Sequence, residues 1–181
     1  VRFGAFGRTS SLHLAEAIPG VKSVFAVLGT QDGTGAFVED SAASWHPGYQ
    51  NGWGSTDSGV FNDDFADWLR VNGEGPYKSN ATGVLKPNAY QVVGVQRRSA
   101  APVEMFASDR HLNGGREGGF RVGEMIFLSG DVNEEARADI EAYLGYKWLA
   151  APITNRNYMA VEQARAGTLA VAEGAAFDLN G

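Results

Sequence analysis

The amino-acid sequence predicts an all-β protein, an antiparallel β-sandwich with one amphipathic helix packed on it near the C-terminal end. Three observations indicate this fold class. Apolar or alternating segments are separated by turn residues roughly every ten to fifteen positions, which is the spacing typical of sandwiches and barrels. The 24 glycines and six prolines among 181 residues suit a fold with many tight turns. One later segment has the periodicity of a helix.

The predicted strands share β-branched or aromatic residues and a Gly, Pro or Asn at a boundary. They are Lys22–Gly29, Gly35–Glu39, Asp67–Asn72, Tyr90–Gln96, Val103–Ala107 and Phe120–Leu128. The segment from Asp40 to Phe61 is dominated by Ser, Gly, Asn and Trp instead. It is predicted to be a long loop, or a loop that contains a short hairpin.

One helix is predicted over Asn133–Trp148. Asp131 and Asn133 are candidate N-caps, and two glutamates follow in the first turn, where the helix dipole favours them. The apolar residues at helical spacing form a stripe that should pack on the strand at Gly123–Leu128: Ala136, Ile140, Tyr143, Leu144 and Trp148. The charged residues outside the stripe are expected to face water: Arg137, Asp139 and Glu141. Pro152 then prevents continuation of the helix.

The chain is expected to comprise one sandwich domain over residues 1–151, a linker over 152–166 and a β-hairpin over 167–181. In the hairpin, apolar residues alternate on both sides of a turn at Glu173–Gly174. An isolated hairpin is marginally stable in water, so it should pair with the sandwich or with another chain. We interpret the sequence as a piece of a longer protein.

Composition disfavours several partners. The formal net charge is −6 and there is no block of Lys and Arg, so nucleic acid and anionic membrane surfaces are not expected partners. The absence of cysteine excludes disulfides and thiolate metal sites. No run approaches the roughly 20 apolar residues of a membrane span.

The stretch Gly123–Trp148 resembles the C-terminal signature of bacterial LamG-like domains, which are jelly-roll sandwiches of the concanavalin A-like lectin/glucanase class. In that signature a strand leads through a loop to a helix ending in Lys-Trp. The matching residues are Glu124, Ile126, Glu135, Arg137, Ile140, Glu141, Tyr143, Leu144, Lys147 and Trp148. Looser similarity covers roughly Phe3 to Leu149 and includes a hairpin at Leu69–Gly73. The resemblance implies a jelly roll and a role in ligand binding.

The final segment, Gly167–Gly181, is similar to one repeat of the autotransporter-associated β-strand type. Such repeats stack into β-solenoids on secreted bacterial proteins. The similarity therefore implies an extracellular, cell-surface location, with the last strands available for pairing between subunits.

No catalytic residue is predicted. The glucanases of the resembled class place two glutamates about an aspartate on one strand, and no such pattern occurs here. Glu39 and Asp40 are adjacent and would point to opposite faces of a strand. The histidines are scattered, without a second ligand at metal-binding spacing: His13, His46 and His111. We therefore do not expect an enzyme, except as the accessory domain of a glycoside hydrolase.

Calcium is the one cofactor considered, because the resembled domains often hold it at the sandwich rim. Hard oxygen ligands occur in the glycine-rich loops, as such a site needs: Asp32, Asp57, Asn62, Asp63 and Asp64. The alternative is that these residues only form turns, which is the usual role of Asp and Asn in loops.

The loop Trp45–Gly54 is the candidate ligand-binding site. Sugars bind to proteins through aromatic faces together with amide and imidazole groups, and this loop combines both kinds. The candidate residues are Trp45, His46, Tyr49, Gln50, Asn51 and Trp53. The alternative is that some of these aromatic rings only seal the edge of the sandwich.

Two functions are therefore open from the sequence. The first is a non-catalytic carbohydrate-binding or adhesion module of a larger bacterial surface protein, whose partner is a glycan or surface polysaccharide. The alternative is an assembly unit of a surface filament or autotransporter-like stalk, which self-associates through residues 167–181.

Overall fold

The described part of the chain is mostly antiparallel β-sheet with a single helix, in agreement with the predicted all-β class. The computed structural model describes residues 12–30, 36–39, 44–45, 66–79, 81, 84–86, 89–108 and 120–150. The strands are β1 (Leu12–Thr30), β2 (Ala36–Glu39), β3 (Ser44–Trp45), β4 (Ala66–Val71), β5 (Glu74–Tyr77), β6 (Tyr90–Ser108) and β7 (Phe120–Leu128), and the helix is α1 (Glu134–Leu149).

All seven described strands belong to one hydrogen-bonded sheet with the order β3-β2-β6-β1-β7. The central strands β1 and β6 are 19 residues long and antiparallel, from Gly29 opposite Tyr90 to Leu12 opposite Phe106. The second edge of β6 pairs with β4 near its start and with β2 near its end. The two strands predicted over Tyr90–Gln96 and Val103–Ala107 are thus one continuous strand.

The hairpin between β4 and β5 turns at Asn72–Gly73. Both residues have positive φ, 53° and 79°, as the two-residue turns that match the twist of a hairpin require. The Asn72 side chain also accepts a hydrogen bond from the backbone N–H of Val92 at 2.9 Å. The hairpin is therefore fastened to β6, and the expectation of a hairpin at Leu69–Gly73 is confirmed.

The sheet buries apolar side chains on both faces. Along β1, Val24, Ala26 and Leu28 belong to a cluster on one face. Phe25 and Val27 belong to a second cluster on the opposite face, which includes Leu144 of α1. This alternation follows from the two-residue period of a strand. The helix therefore covers one face, referred to below as the helix face.

The helix begins and ends as the sequence predicts for Asn133–Trp148. The Asn133 side chain caps the N-terminus by accepting a hydrogen bond from the Ala136 N–H at 2.8 Å. Ala150 follows Leu149 in the left-handed conformation and donates its N–H to the Gly145 carbonyl. This left-handed C-cap, two residues before Pro152, ends the helix at Leu149.

The orientation of the charged helix residues differs from the prediction. Arg137, Asp139 and Glu141 are buried rather than solvated, whereas Trp148 of the apolar stripe is 42% exposed. Ile140, Tyr143 and Leu144 do pack on the sheet, but they meet β1 and β6 as well as the expected strand at Gly123–Leu128. The helix therefore meets the sheet with a mixed surface, since ion pairs inside the interface replace part of the apolar stripe.

Candidate functional site

The structure gives a position for one residue of the predicted sugar-binding loop. Trp45 ends β3, the outermost strand on its side of the described sheet, where it lies opposite Val38 of β2. The rest of the predicted sites lies outside the described residues: His46, Tyr49, Gln50, Asn51 and Trp53 of the loop; the calcium candidates Asp32, Asp57, Asn62, Asp63 and Asp64; and the C-terminal residues 167–181. In the described part of the chain, no three His, Asp or Glu residues are grouped to hold a metal ion.

The N-terminal half of α1 contacts the sheet through an ionic cluster. Arg137 forms ion pairs with both Glu134 and Glu141 along the same helix. Arg70 of β4 lies 3.8 Å from Glu134 and donates a hydrogen bond to the carbonyl of Gly73 at 3.1 Å. Glu141 is fully buried and Arg137 is 5% exposed. One pair of opposite charges, Arg137 and Glu141, is therefore removed from water, while the Glu134 side chain stays exposed.

Burial and pairing act differently on the two central members of this cluster. Desolvation raises the pKa of Glu141 above its ordinary value, and the Arg137 guanidinium opposes that shift without cancelling it. Burial also disfavours the charged form of Arg137, but hydrogen bonds with Glu134 and Glu141 outweigh it and raise its pKa. The Oε1 atom of Glu141 is buried and forms no hydrogen bond. One carboxylate oxygen therefore remains unsatisfied inside the interface.

A second polar contact fixes the segment that leads into the helix. The Gln96 Oε1 atom accepts hydrogen bonds from the Val132 N–H at 2.8 Å and from the Ser23 hydroxyl at 3.2 Å. The Ser23 hydroxyl also lies 3.1 Å from the Gly130 carbonyl. Both side chains are buried. β1 and β6 therefore hold the loop between β7 and α1 in place.

The C-terminal end of α1 is fastened to β7 by Glu124. This carboxylate accepts hydrogen bonds from the Trp148 Nε1–H at 2.8 Å and from the Tyr143 hydroxyl at 3.1 Å. The Lys147 Nζ atom lies 3.1 Å from Glu124 and donates to the Tyr143 hydroxyl at 3.0 Å. These contacts raise the pKa of Lys147, the hydrogen bond to Tyr143 having the largest effect. The four side chains form what we call the Glu124 clamp.

A bulge in β7 makes room for the clamp. Ala26 pairs with Met125 and Leu28 pairs with Val122, so Gly123 and Glu124 together oppose one residue of β1. A Cβ atom on Gly123 would lie 2.9 Å from the Trp148 ring. The indole therefore lies directly against the glycine backbone, with its Nε1 held by Glu124.

The large apolar side chains that are exposed among the described residues are all aromatic. Tyr146 and Trp148 belong to the last turn of α1, and Tyr90 begins β6 with 44% of its surface exposed. A Cβ atom on Gly29 would lie 3.2 Å from the Tyr90 ring, so this ring also covers a glycine.

Strand register places Arg121 close to these rings. Gly29 pairs with Tyr90 on one side and with Arg121 on the other. Directly paired residues have their side chains on the same face of the sheet. Gly29 follows Phe25 and Val27 at two-residue steps, so Tyr90 and Arg121 lie on the helix face. The Nε atom of Arg121 is buried and forms no hydrogen bond, and no described residue forms an ion pair with this guanidinium.

Sequence reasoning did not single out Arg121 or Tyr90. Each is one polar or aromatic residue at the start of a strand, and their proximity depends on the pairing of β1 with both neighbours. The sequence signal that could have pointed to this surface is the presence of glycines inside strands, at positions 29 and 123. A glycine inside a strand often marks a place where another group approaches the backbone closely.

The described fold defines an antiparallel β-sheet protein with one helix docked through polar contacts. Within that part of the chain, no helix is both long and apolar enough to cross a bilayer. Comparison with known proteins identifies no relative: no family model matches the chain, and no curated protein or solved structure matches it either.

Proposed function

We propose that this protein is a non-catalytic, extracellular carbohydrate-binding module of a larger bacterial surface protein, with a jelly-roll architecture. The observation that carries the proposal is the composition of the loop Trp45–Gly54, where three aromatic residues alternate with imidazole and amide groups. Aromatic faces stack on the C–H surface of a pyranose, while amides and imidazole meet its hydroxyl groups. The resemblance of Gly123–Trp148 to LamG-like domains supports the same class.

The position of β3 is favourable for such a role. Trp45 stands where the chain leaves the outermost strand on that side of the described sheet, and β2 ties this strand to the end of β6. Binding residues are commonly carried by loops that a rigid scaffold positions.

Three glutamates with described side chains near α1 have structural contacts. Glu124 fastens the helix to β7, and Glu134 and Glu141 pair with Arg137. Glycoside hydrolysis requires two carboxyl groups facing one sugar ring. The paired use of these three glutamates supports binding over catalysis as the proposed function.

The test is retention of the protein on a glycan array. The double variant Trp45→Ala/Trp53→Ala should lose binding of the neutral glycans that the wild-type protein retains, while its far-UV circular dichroism and thermal midpoint stay unchanged. Tyr146→Ala is the matched control, since it removes an exposed aromatic side chain from the last turn of α1, outside the loop. The proposal is wrong if the double variant folds normally and binds as the wild type does.

A further inference from the structure

We propose that Tyr90, Arg121 and Trp148 form a second binding site, on the helix face of the sheet beside the C-terminal end of α1, which takes an acidic polysaccharide. The two rings would stack on sugar rings and Arg121 would pair with a carboxylate. This site goes beyond the proposed function of the Trp45–Gly54 loop. Trp45 lies beside the end of β6 through β2 and β3, whereas Tyr90 begins that 19-residue strand.

The two aromatic rings are held in place and still exposed. The Trp148 ring lies against Gly123 and its Nε1–H is bound by Glu124, yet 42% of the residue is exposed. Tyr90 lies against Gly29 and is 44% exposed. A ring fixed against backbone loses little conformational entropy when a ligand stacks on it. This is the arrangement that sugar-stacking residues need.

The spacing suits an oligosaccharide rather than a single small ion. Tyr90 and Arg121 flank Gly29 on neighbouring strands, so their backbones are about 10 Å apart. Gly123, under the Trp148 ring, is two residues beyond Arg121 along β7, or about 7 Å. Successive sugar rings of a chain can therefore reach both aromatic residues while one substituent meets Arg121.

The charge of the surface selects the chemistry of the ligand. Lys147 is paired with Glu124, so these two charges offset each other. Arg121 has no ion pair among the described residues and keeps a buried Nε–H without an acceptor. A guanidinium binds carboxylate in a two-bond fork. A uronic acid therefore fits the site better than a neutral hexose.

The experiment is calorimetric titration of the full chain with tetragalacturonate, and with its methyl ester as the neutral analogue. The acid should bind, and more weakly as NaCl is added, while the ester should bind at least tenfold more weakly, since it lacks the charged acceptor. Arg121→Gln should weaken binding of the acid by about tenfold or more. Arg121→Lys should bind the acid with an affinity between those of Arg121→Gln and the wild type, because lysine keeps the charge but not the two-bond fork. Tyr90→Ala should weaken binding of acid and ester alike, by up to about tenfold.

Arg98→Gln is the matched control, because it removes the same charge from the middle of β6. It should bind tetragalacturonate as the wild type does, and the thermal midpoint of every variant is measured alongside. The proposal is overturned if the wild-type protein does not bind the acid at millimolar concentration, if the ester binds equally well, or if Arg121→Gln and Tyr90→Ala both bind like Arg98→Gln.

The loop variant separates this site from the first proposal. Trp45→Ala/Trp53→Ala should keep its affinity for tetragalacturonate, whatever its behaviour on the glycan array. If that variant loses the acid while the Tyr90 and Arg121 variants keep it, the acidic glycan binds at the loop and the second site does not exist.

Discussion

The two ends of helix α1 are attached to the same sheet by similar groups in different surroundings. At the N-terminal end, Arg137 and Glu141 are paired inside the interface and both are buried. At the C-terminal end, Lys147 and Glu124 are paired beside Trp148, with the lysine side chain 42% exposed. Each end combines a cation, a carboxylate and a sheet strand, but only one of them excludes water.

This difference determines what each end contributes. A buried pair gains little over apolar packing, yet removing one partner leaves an uncompensated charge and costs much. An exposed pair contributes little, because water and salt screen it. The N-terminal end should therefore control whether the helix docks, while the C-terminal end is free to present aromatic surface. Three predictions test this comparison.

The largest effect is expected for Arg137→Met. It should lower the free energy of unfolding by about 3–5 kcal/mol, because Glu141 is then buried without a partner. The double variant Arg137→Met/Glu141→Leu should recover most of that loss, since an apolar pair of similar size fills the interface. Urea unfolding followed by circular dichroism measures both. A single variant as stable as the wild type would show that the pair does not govern docking.

Alanine substitution of two glycines compares the cost of crowding buried aromatic rings with the cost of crowding an exposed one. A Cβ on Gly94 would lie 3.0 Å from Phe25 and 3.3 Å from Trp68, whose rings are packed together in the core. Gly94→Ala should therefore destabilise the protein by about 1–3 kcal/mol. Gly123→Ala would displace the Trp148 ring toward water and break its hydrogen bond to Glu124, so its cost should be about 1 kcal/mol or less. Equal costs in urea unfolding would contradict the contrast between buried and exposed attachment.

The smallest effect concerns pH. Burial raises the pKa of Glu141, so the native state holds this proton to higher pH than the unfolded chain does. The associated stability is fully present below the ordinary carboxyl pKa of about 4.3 and is lost as pH rises through the raised value. The charged neighbours on this carboxylate are Arg137, Arg70 and Glu134. Relative to Glu141→Gln, the wild-type protein should therefore lose unfolding free energy as the pH rises above about 4. A difference that stays constant or grows with pH would contradict this assignment.

Much of the fold could be predicted because its signals are local. β7 coincides with the predicted Phe120–Leu128, and α1 matches the predicted helix because capping and periodicity act within one segment. The first half of β1 and the continuity of β6 could not be predicted. Pro102 argues against a strand, but it lies between the parts of β6 that pair with β4 and with β2. At that position neither β4 nor β2 pairs with β6, so the missing N–H of Pro102 removes no hydrogen bond to either strand.

The candidate sites also include some features that local sequence patterns show and others that they do not. The composition of Trp45–Gly54 is visible in the sequence, and so is the i,i+4 spacing of Arg137 and Glu141. That spacing is typical of a solvated helix face, and burial was missed because it depends on where the helix lies relative to β4. The proximity of Tyr90, Arg121 and Trp148 follows only from strand register and from the bulge at Gly123. Local sequence patterns do not show which strands pair or in which register, so this surface could not be predicted.

The binding site at Tyr90, Arg121 and Trp148 is tested most directly by the indole region of a proton–nitrogen correlation spectrum recorded during titration with tetragalacturonate. The four tryptophans give four signals, which single Trp→Phe variants assign. The Trp148 signal should shift in a saturable way, while the signal of Trp68, which is half-buried against Phe25, should stay in place. Shifts confined to Trp45 and Trp53, with Trp148 unmoved, would contradict a binding site at the C-terminal end of the helix.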